Sequence, residues 1–218
     1  YNLFSKKDFL RKHYEDILLI FLTIIFTLIL FFSLKDLNLI NSLINVLSSI
    51  STSGLSPNRI PENFSLYLLF LTILGGSIIS NTSGIKFLRF YILLKATFID
   101  IFKLVRPNNI VNQNILFSED KINSQNVKIT FLVFVSFFIS VFILSSFLVI
   151  DNISFENSFK LSILTLTNTA ASNIYGIEDI KFANLFTFSK ISLIFFMIIA
   201  KIEMLAIFIL FRKVFLKN

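Results

Sequence analysis

The chain has 218 residues, 55% of them hydrophobic and only 15% charged, with a formal net charge of +7. Ordinary soluble domains carry about 25% charged residues, so the polar surface is too small to cover a soluble globule and the composition points to an integral membrane protein. Cysteine is absent and histidine occurs once, which excludes disulfides, thiolate metal sites and a histidine-pair metal site. His13 lies in a charged lead-in and reads as a solvated or headgroup-level residue.

A spanning helix needs about 20 apolar residues, and four segments qualify: 16–34, 64–105, 128–150 and 185–211. Ahead of the first, Lys6, Lys7, Arg11 and Lys12 face a single acid, Asp8, which puts that end on the cytoplasmic side by the positive-inside rule. The first span runs from about Asp16 to Ser33, with Lys35-Asp36 at its outer end. Residues 38–50, NLINSLINVLSSI, are too few to span at 1.5 Å rise per residue. Asn38, Asn41, Ser42 and Asn45 recur at helical spacing and predict one wettable face on a re-entrant half-helix. The turn Ser51-Thr52-Ser53-Gly54-Leu55-Ser56 follows, and Pro57 and Pro61 then direct the chain outward.

The segment 64–105 is too long for one simple span. Its apolar run to Leu74 meets Gly75-Gly76-Ser77-Ile78-Ile79-Ser80-Asn81-Thr82-Ser83-Gly84 before helix resumes at Ile85. Adjacent glycines are poor helix formers, so a helix broken near mid-membrane is expected. The broken stretch serves either close helix packing through small residues or a flexible loop lining a pathway. Lys86, Arg89, Lys95, Lys103 and Arg106 then place this end on the cytoplasmic side.

Residues 106–127 are the one water-soluble stretch inside the chain, and Asn114 to Val127, with Glu119-Asp120-Lys121 in the middle, predicts a β-hairpin. After the third span, Phe159 to Thr167 predicts a second half-helix, which enters the turn Thr167-Asn168-Thr169-Ala170-Ala171-Ser172. Glu178 and Asp179 fall on the outer side. The last helix carries Lys190 near its outer end, Lys201 and Glu203 deep within it, and Arg212-Lys213 and Lys217 at its end. Lys190 is expected to pair with an acid or snorkel. An unpaired lipid-facing Lys201 costs about 2.5–3.5 kcal/mol on insertion scales. It is therefore either a partner of Glu203 or another acid, or a cation beside an ion path.

A shift of about 116 residues lays Asn41-Ser42 on Asn157-Ser158 and Thr52-Ser53-Gly54 on Asn168-Thr169-Ala170. Irregular polar backbone at membrane depth is tolerated only where protein covers it or it lines a water-filled path, and a short helix ending in a Thr/Ser/Gly turn is how carbonyl filters meet an ion. The expected fold is all-α and membrane-embedded. It has two helix–pore-helix–helix repeats, 1–105 and 128–218, with re-entrant half-helices and a small cytoplasmic hairpin at 106–127.

The filter turn STSGLSP, the run GGSIISNTSGIKFLR, the connection RPNNIVNQNILF and the helix SKISLIFFMIIAKIEMLAIFILF, in that order, resemble the Trk/Ktr/HKT superfamily of potassium transporters, and within it the bacterial TrkH-type subunits. The resemblance covers nearly the whole chain and implies the third and fourth of four repeats around one pore, so the chain, which opens on Tyr1, is expected to be a piece of a longer protein. It implies potassium-facing carbonyls at Thr52, Ser53, Asn168 and Thr169, filter-glycine positions at Gly54 and Ala170, and an intramembrane gating loop from Gly75 and Gly76 through Ser77 to Ser83 and Gly84. It also implies a cation, Lys201, that projects toward the path where the family has arginine. Alanine at the second filter-glycine position implies backbone strain of about 1–2 kcal/mol if φ is positive there, and admits sodium beside potassium as the cargo. Further implications are a multi-pass protein of the cell (inner) membrane, a homodimer, and a cytosolic nucleotide-binding regulatory ring as partner; no organic cofactor is implied.

The expected function is monovalent-cation uptake through a filter of backbone carbonyls. The alternative is a structural or assembly subunit without an ion path, which has no need of paired pore turns. An enzyme is not expected: there is no histidine pair, no cysteine, no carboxylate dyad at interfacial depth and no phosphate-binding loop.

Overall fold

The computed structural model describes residues 13–34, 37–56, 64–106, 114–115, 121–171, 173–177 and 182–201. The expectations for the basic lead-in before His13, Pro57 and Pro61, Glu119-Asp120, Glu178-Asp179 and the chain from Ile202 onward lie outside the described residues. The helices are α1 (Tyr14–Ser33), α2 (Leu39–Ile50), α3 (Ser65–Leu74), α4 (Phe87–Val105), α5 (Ser124–Val149), α6 (Phe155–Leu166) and α7 (Thr187–Lys201), with short 3₁₀ turns at Asn173–Tyr175 and Phe182–Asn184.

Among the described residues, α1 and α5 are each long and apolar enough to cross a membrane. Both show apolar side chains outward, Phe21 and Phe32 on α1 and Ile139 and Phe142 on α5, and α7 does the same with Ile191, Ile194 and Phe195. Apolar exposure on this scale, on helices from both ends of the chain, fits a lipid-facing surface and not a water-facing one. The 12 residues of α2 and the 12 of α6 make helices only about 18 Å long, against a hydrocarbon core of about 30 Å.

One hydrophobic core joins helices from the first and second halves of the chain. Leu30 of α1, Val46 of α2, Leu68 and Leu71 of α3, Val141 and Leu144 of α5, and Leu164 and Leu166 of α6 all belong to it. Tyr67 fastens α3 to α1, its hydroxyl donating to the Phe26 carbonyl at 2.7 Å. A second, smaller cluster of Leu88, Ile92 and Ile115 holds the short connection against α4, where Lys95 donates to the Asn114 carbonyl.

α2 is amphipathic in the reverse sense of a soluble helix. Its polar side chains Ser42, Asn45, Ser48 and Ser49 are buried, while Leu39, Ile40, Leu43, Ile44 and Leu47 point outward. Of the face expected to be wettable, Ser42 and Asn45 are covered by protein, Asn41 is half-buried and Asn38 is exposed. α6 is buried almost all round, and its hydroxyls survive burial by bonding their own helix: Ser162 to the Ser158 carbonyl at 2.7 Å and Thr165 to the Leu161 carbonyl at 2.7 Å.

Among the described residues, the stretch expected to form a hairpin shows one antiparallel bridge between Asn114 and Lys121, and residues 116–120 lie outside the described residues. α5 already begins at Ser124 behind Asn123, so residues 124–127, assigned to a strand by alternation, are helical. The expected break in the long apolar segment lies where the glycines put it: α3 ends at Leu74 and α4 starts at Phe87.

Candidate functional site: two turns and a loop

α2 and α6 end in the same way. After α2, the Thr52 N–H donates to the Ser49 carbonyl at 3.1 Å and the Ser53 N–H to the Ser48 carbonyl at 3.0 Å. After α6, the Asn168 N–H donates to the Thr165 carbonyl at 3.1 Å and the Thr169 N–H to the Leu164 carbonyl at 2.9 Å. This pair of bonds is the Schellman closure, which puts one residue in the left-handed region, usually glycine. Here that residue is Thr52 (φ 56°) and Asn168 (φ 51°). Asparagine accepts this conformation readily, whereas a β-branched threonine there is an outlier; strain of this kind gathers at functional sites. One hydroxyl pair repeats as well: Ser51 Oγ lies 3.4 Å from Ser53 Oγ, and the aligned Thr167 Oγ1 lies 2.8 Å from Thr169 Oγ1.

The two turns meet. Gly54 has φ 71° and lies against the second turn; a Cβ there would overlap the Ala170 carbonyl oxygen and come within 2.8 Å of Thr169 Cγ2. Thr52, Gly54 and Thr169 are buried, and Ser53 and Ala170 are exposed. Ala170 is not among the residues with positive φ. The strain expected at Ala170 is therefore corrected: the left-handed residue of the second turn is Asn168, and alanine sits in ordinary backbone.

The 75–84 loop lies beside the second turn. Asn168 Nδ2 donates to Ser83 Oγ at 3.1 Å and to the Met197 carbonyl at 3.2 Å, tying turn, loop and α7 together. Gly75 (φ 65°) and Gly84 (φ 96°) close the loop; a Cβ on Gly75 would lie 2.7 Å from the Ser83 carbonyl oxygen. Gly76 donates its N–H to Thr82 Oγ1 at 3.1 Å, and the Ser77 carbonyl accepts from Ser80 Oγ at 2.6 Å. Lys201 is exposed and its Nζ donates to the Asn81 carbonyl at 3.3 Å, so its observed partner is the loop; Glu203 lies outside the described residues. Lys86 and Lys201 both line a cavity of about 200 Å³ with Ser80, Asn81, Thr82 and Ser83. Lys190, expected to find an acid or snorkel, donates to the Ala183 carbonyl at 2.8 Å.

Sequence reasoning missed three charged residues. Lys86, counted with a cytoplasmic basic cluster, is buried inside the loop. Its signal was a lysine at the start of a helix, where the macrodipole disfavours a cation. Lys160 of α6 is buried, paired with Glu156 Oε1 at 2.6 Å and bonded to the Gly176 carbonyl at 3.0 Å; a glutamate four residues before a lysine was the legible sign. Glu15 accepts from the Ile78 N–H at 2.7 Å and ties α1 to the loop. Among the described residues no three His, Cys, Asp or Glu side chains cluster. The oxygens gathered at the turns are carbonyls and hydroxyls, donors suited to hard cations.

The described residues thus form short polar-faced helices ending in paired turns, set among longer apolar helices, with a glycine-marked break between α3 and α4. The potassium transporter TrkH from Vibrio parahaemolyticus superposes on 95% of this chain with a TM-score of 0.73 at 18% sequence identity, over 44% of its own length. An uncharacterized cation transporter of Methanocaldococcus jannaschii is 27% identical over 183 residues, which is 76% of this chain and 38% of that protein. The chain thus spans less than half the length of both relatives, and no family model matches it. The expected relationship to Trk-type potassium transporters is borne out by these two likenesses.

Proposed function

We propose that this chain supplies two of the walls of a monovalent-cation pathway in the cell membrane, with potassium preferred over sodium as the cargo, and that it is not an enzyme. One observation carries the reading: two turns about 116 residues apart close with the same hydrogen bonds and abut at Gly54 and Ala170. A packing role asks for neither the repeated left-handed residue nor the repeated hydroxyl pair. In this reading α2 and α6 are re-entrant half-helices, the carbonyls of Thr52, Ser53, Asn168 and Thr169 face the ion, and the 75–84 loop with Lys201 governs passage below them. Both relatives are named as cation or potassium transporters. A second copy and a cytosolic nucleotide-binding ring belong to the same reading as partners.

The test is rubidium and sodium uptake by the full-length protein in a host lacking its own potassium uptake. Gly54→Ser is expected to lower the rubidium-to-sodium ratio, because a side chain at 54 pushes the second turn away. An unchanged ratio, at equal amounts of folded protein, would reject the filter in favour of an assembly role.

A further inference from the structure

The 75–84 loop is wound around a side chain of its own chain. Lys86 has φ 74°, and its side chain reaches back into the loop, leaving the residue 5% exposed. Its Nζ donates to the Ser80 carbonyl at 2.7 Å, to the Ser77 carbonyl at 3.3 Å and to the Thr82 carbonyl, with Thr82 Oγ1 at 3.3 Å. An ammonium has three N–H donors, and three carbonyls of one short loop converge on it. Carbonyl oxygens aimed at a single point are the chemistry that replaces the hydration shell of a small monovalent cation.

The winding is tight. A Cβ on Gly76 would lie 2.8 Å from Ser80 Oγ and 2.9 Å from Thr82 Oγ1. Neither the backbone nor the helix rewards a lysine here: a left-handed conformation disfavours a side chain, and a helix N-terminus disfavours a cation. The bonds to the cage are what offset both.

We propose that Lys86 is a tethered cation, a positioning residue whose ammonium fills a carbonyl cage in the 75–84 loop and keeps the loop folded, and that the emptied cage accepts a small primary ammonium ion in its place. This rests on the pathway reading only in that the loop then lies across the path. The test reads the loop itself and not transport, so the two readings fail separately.

The experiment is hydrogen exchange of the 75–87 amides in the full-length protein. Lys86→Met is expected to speed exchange there by about tenfold or more, since hydrogen bonds to a charged group hold the closed form, with α5 unchanged. In Lys86→Ala, propylammonium, which replaces the removed atoms, is expected to restore protection. Tetramethylammonium, of equal charge but with no N–H, is expected to leave exchange fast. Wild-type protection in Lys86→Met, or equal effects of the two ions, would overturn the proposal. Should both lysine variants fail to fold, Gly76→Ala keeps the charge but crowds the Ser80 and Thr82 oxygens. Faster loop exchange in it supports the cage, and wild-type exchange overturns it.

Discussion

The turn after α2 and the turn after α6 share a backbone and differ in what they must leave out. Both close with the same two bonds and put a non-glycine residue in the left-handed region. Two residues further on they diverge: Gly54 has positive φ and touches the other turn, whereas Ala170 has neither positive φ nor a buried side chain. Aligned positions of the two turns therefore need not share a conformation. The glycine is required where one turn abuts the next, and the second turn is free of that requirement on the side seen here.

The largest effect that would break this comparison is at Gly54. Gly54→Ala meets the φ penalty of about 1–2 kcal/mol and, in addition, the overlap with the Ala170 carbonyl. The full-length protein is expected to lose several degrees in thermal stability together with the ratio of rubidium to sodium uptake. A variant as stable as wild type would show that the two turns do not touch. Thr52 sharpens the comparison in the opposite direction. Thr52→Asn copies the residue of the second turn into the first and relieves a β-branched side chain from the left-handed region. A gain of about 0.5–1 kcal/mol is expected in a denaturation series, and a loss would mean that the threonine methyl packs better than its backbone suggests. Ala170→Gly should do least, within about 0.5 kcal/mol, because no strain is there to remove. A clear gain in stability would restore the expectation of a strained alanine.

What the sequence made legible was local. The polar run 38–50 matches α2, Leu39–Ile50, because its bounds are marked by an asparagine before it and a Ser/Thr/Gly turn after it. The break at 75–84 was readable from adjacent glycines. The second short helix was placed four residues late, although Ser154, whose Oγ accepts the Asn157 N–H at 3.4 Å, and Glu156 in its first turn are a helix-start pattern. Tertiary facts were not legible. Spacing showed that α2 has a polar face, but not that protein would cover its Ser42 and Asn45. Counting basic residues put Lys86 with the cytoplasmic cluster, since no count can see three carbonyls folding onto one ammonium. The repeat alignment pairs Gly54 with Ala170, but could not show that only Gly54 of the two has positive φ.

The central claim is that the two turns are walls of one cation site. It is tested most directly by anomalous diffraction from thallium, a potassium substitute, in crystals of the full-length protein. The account predicts a peak on the common side of the two turns, coordinated by carbonyls of Thr52 or Ser53 and of Asn168 or Thr169. Thallium bound elsewhere along the molecule, with both turns turned away from it, would contradict the account.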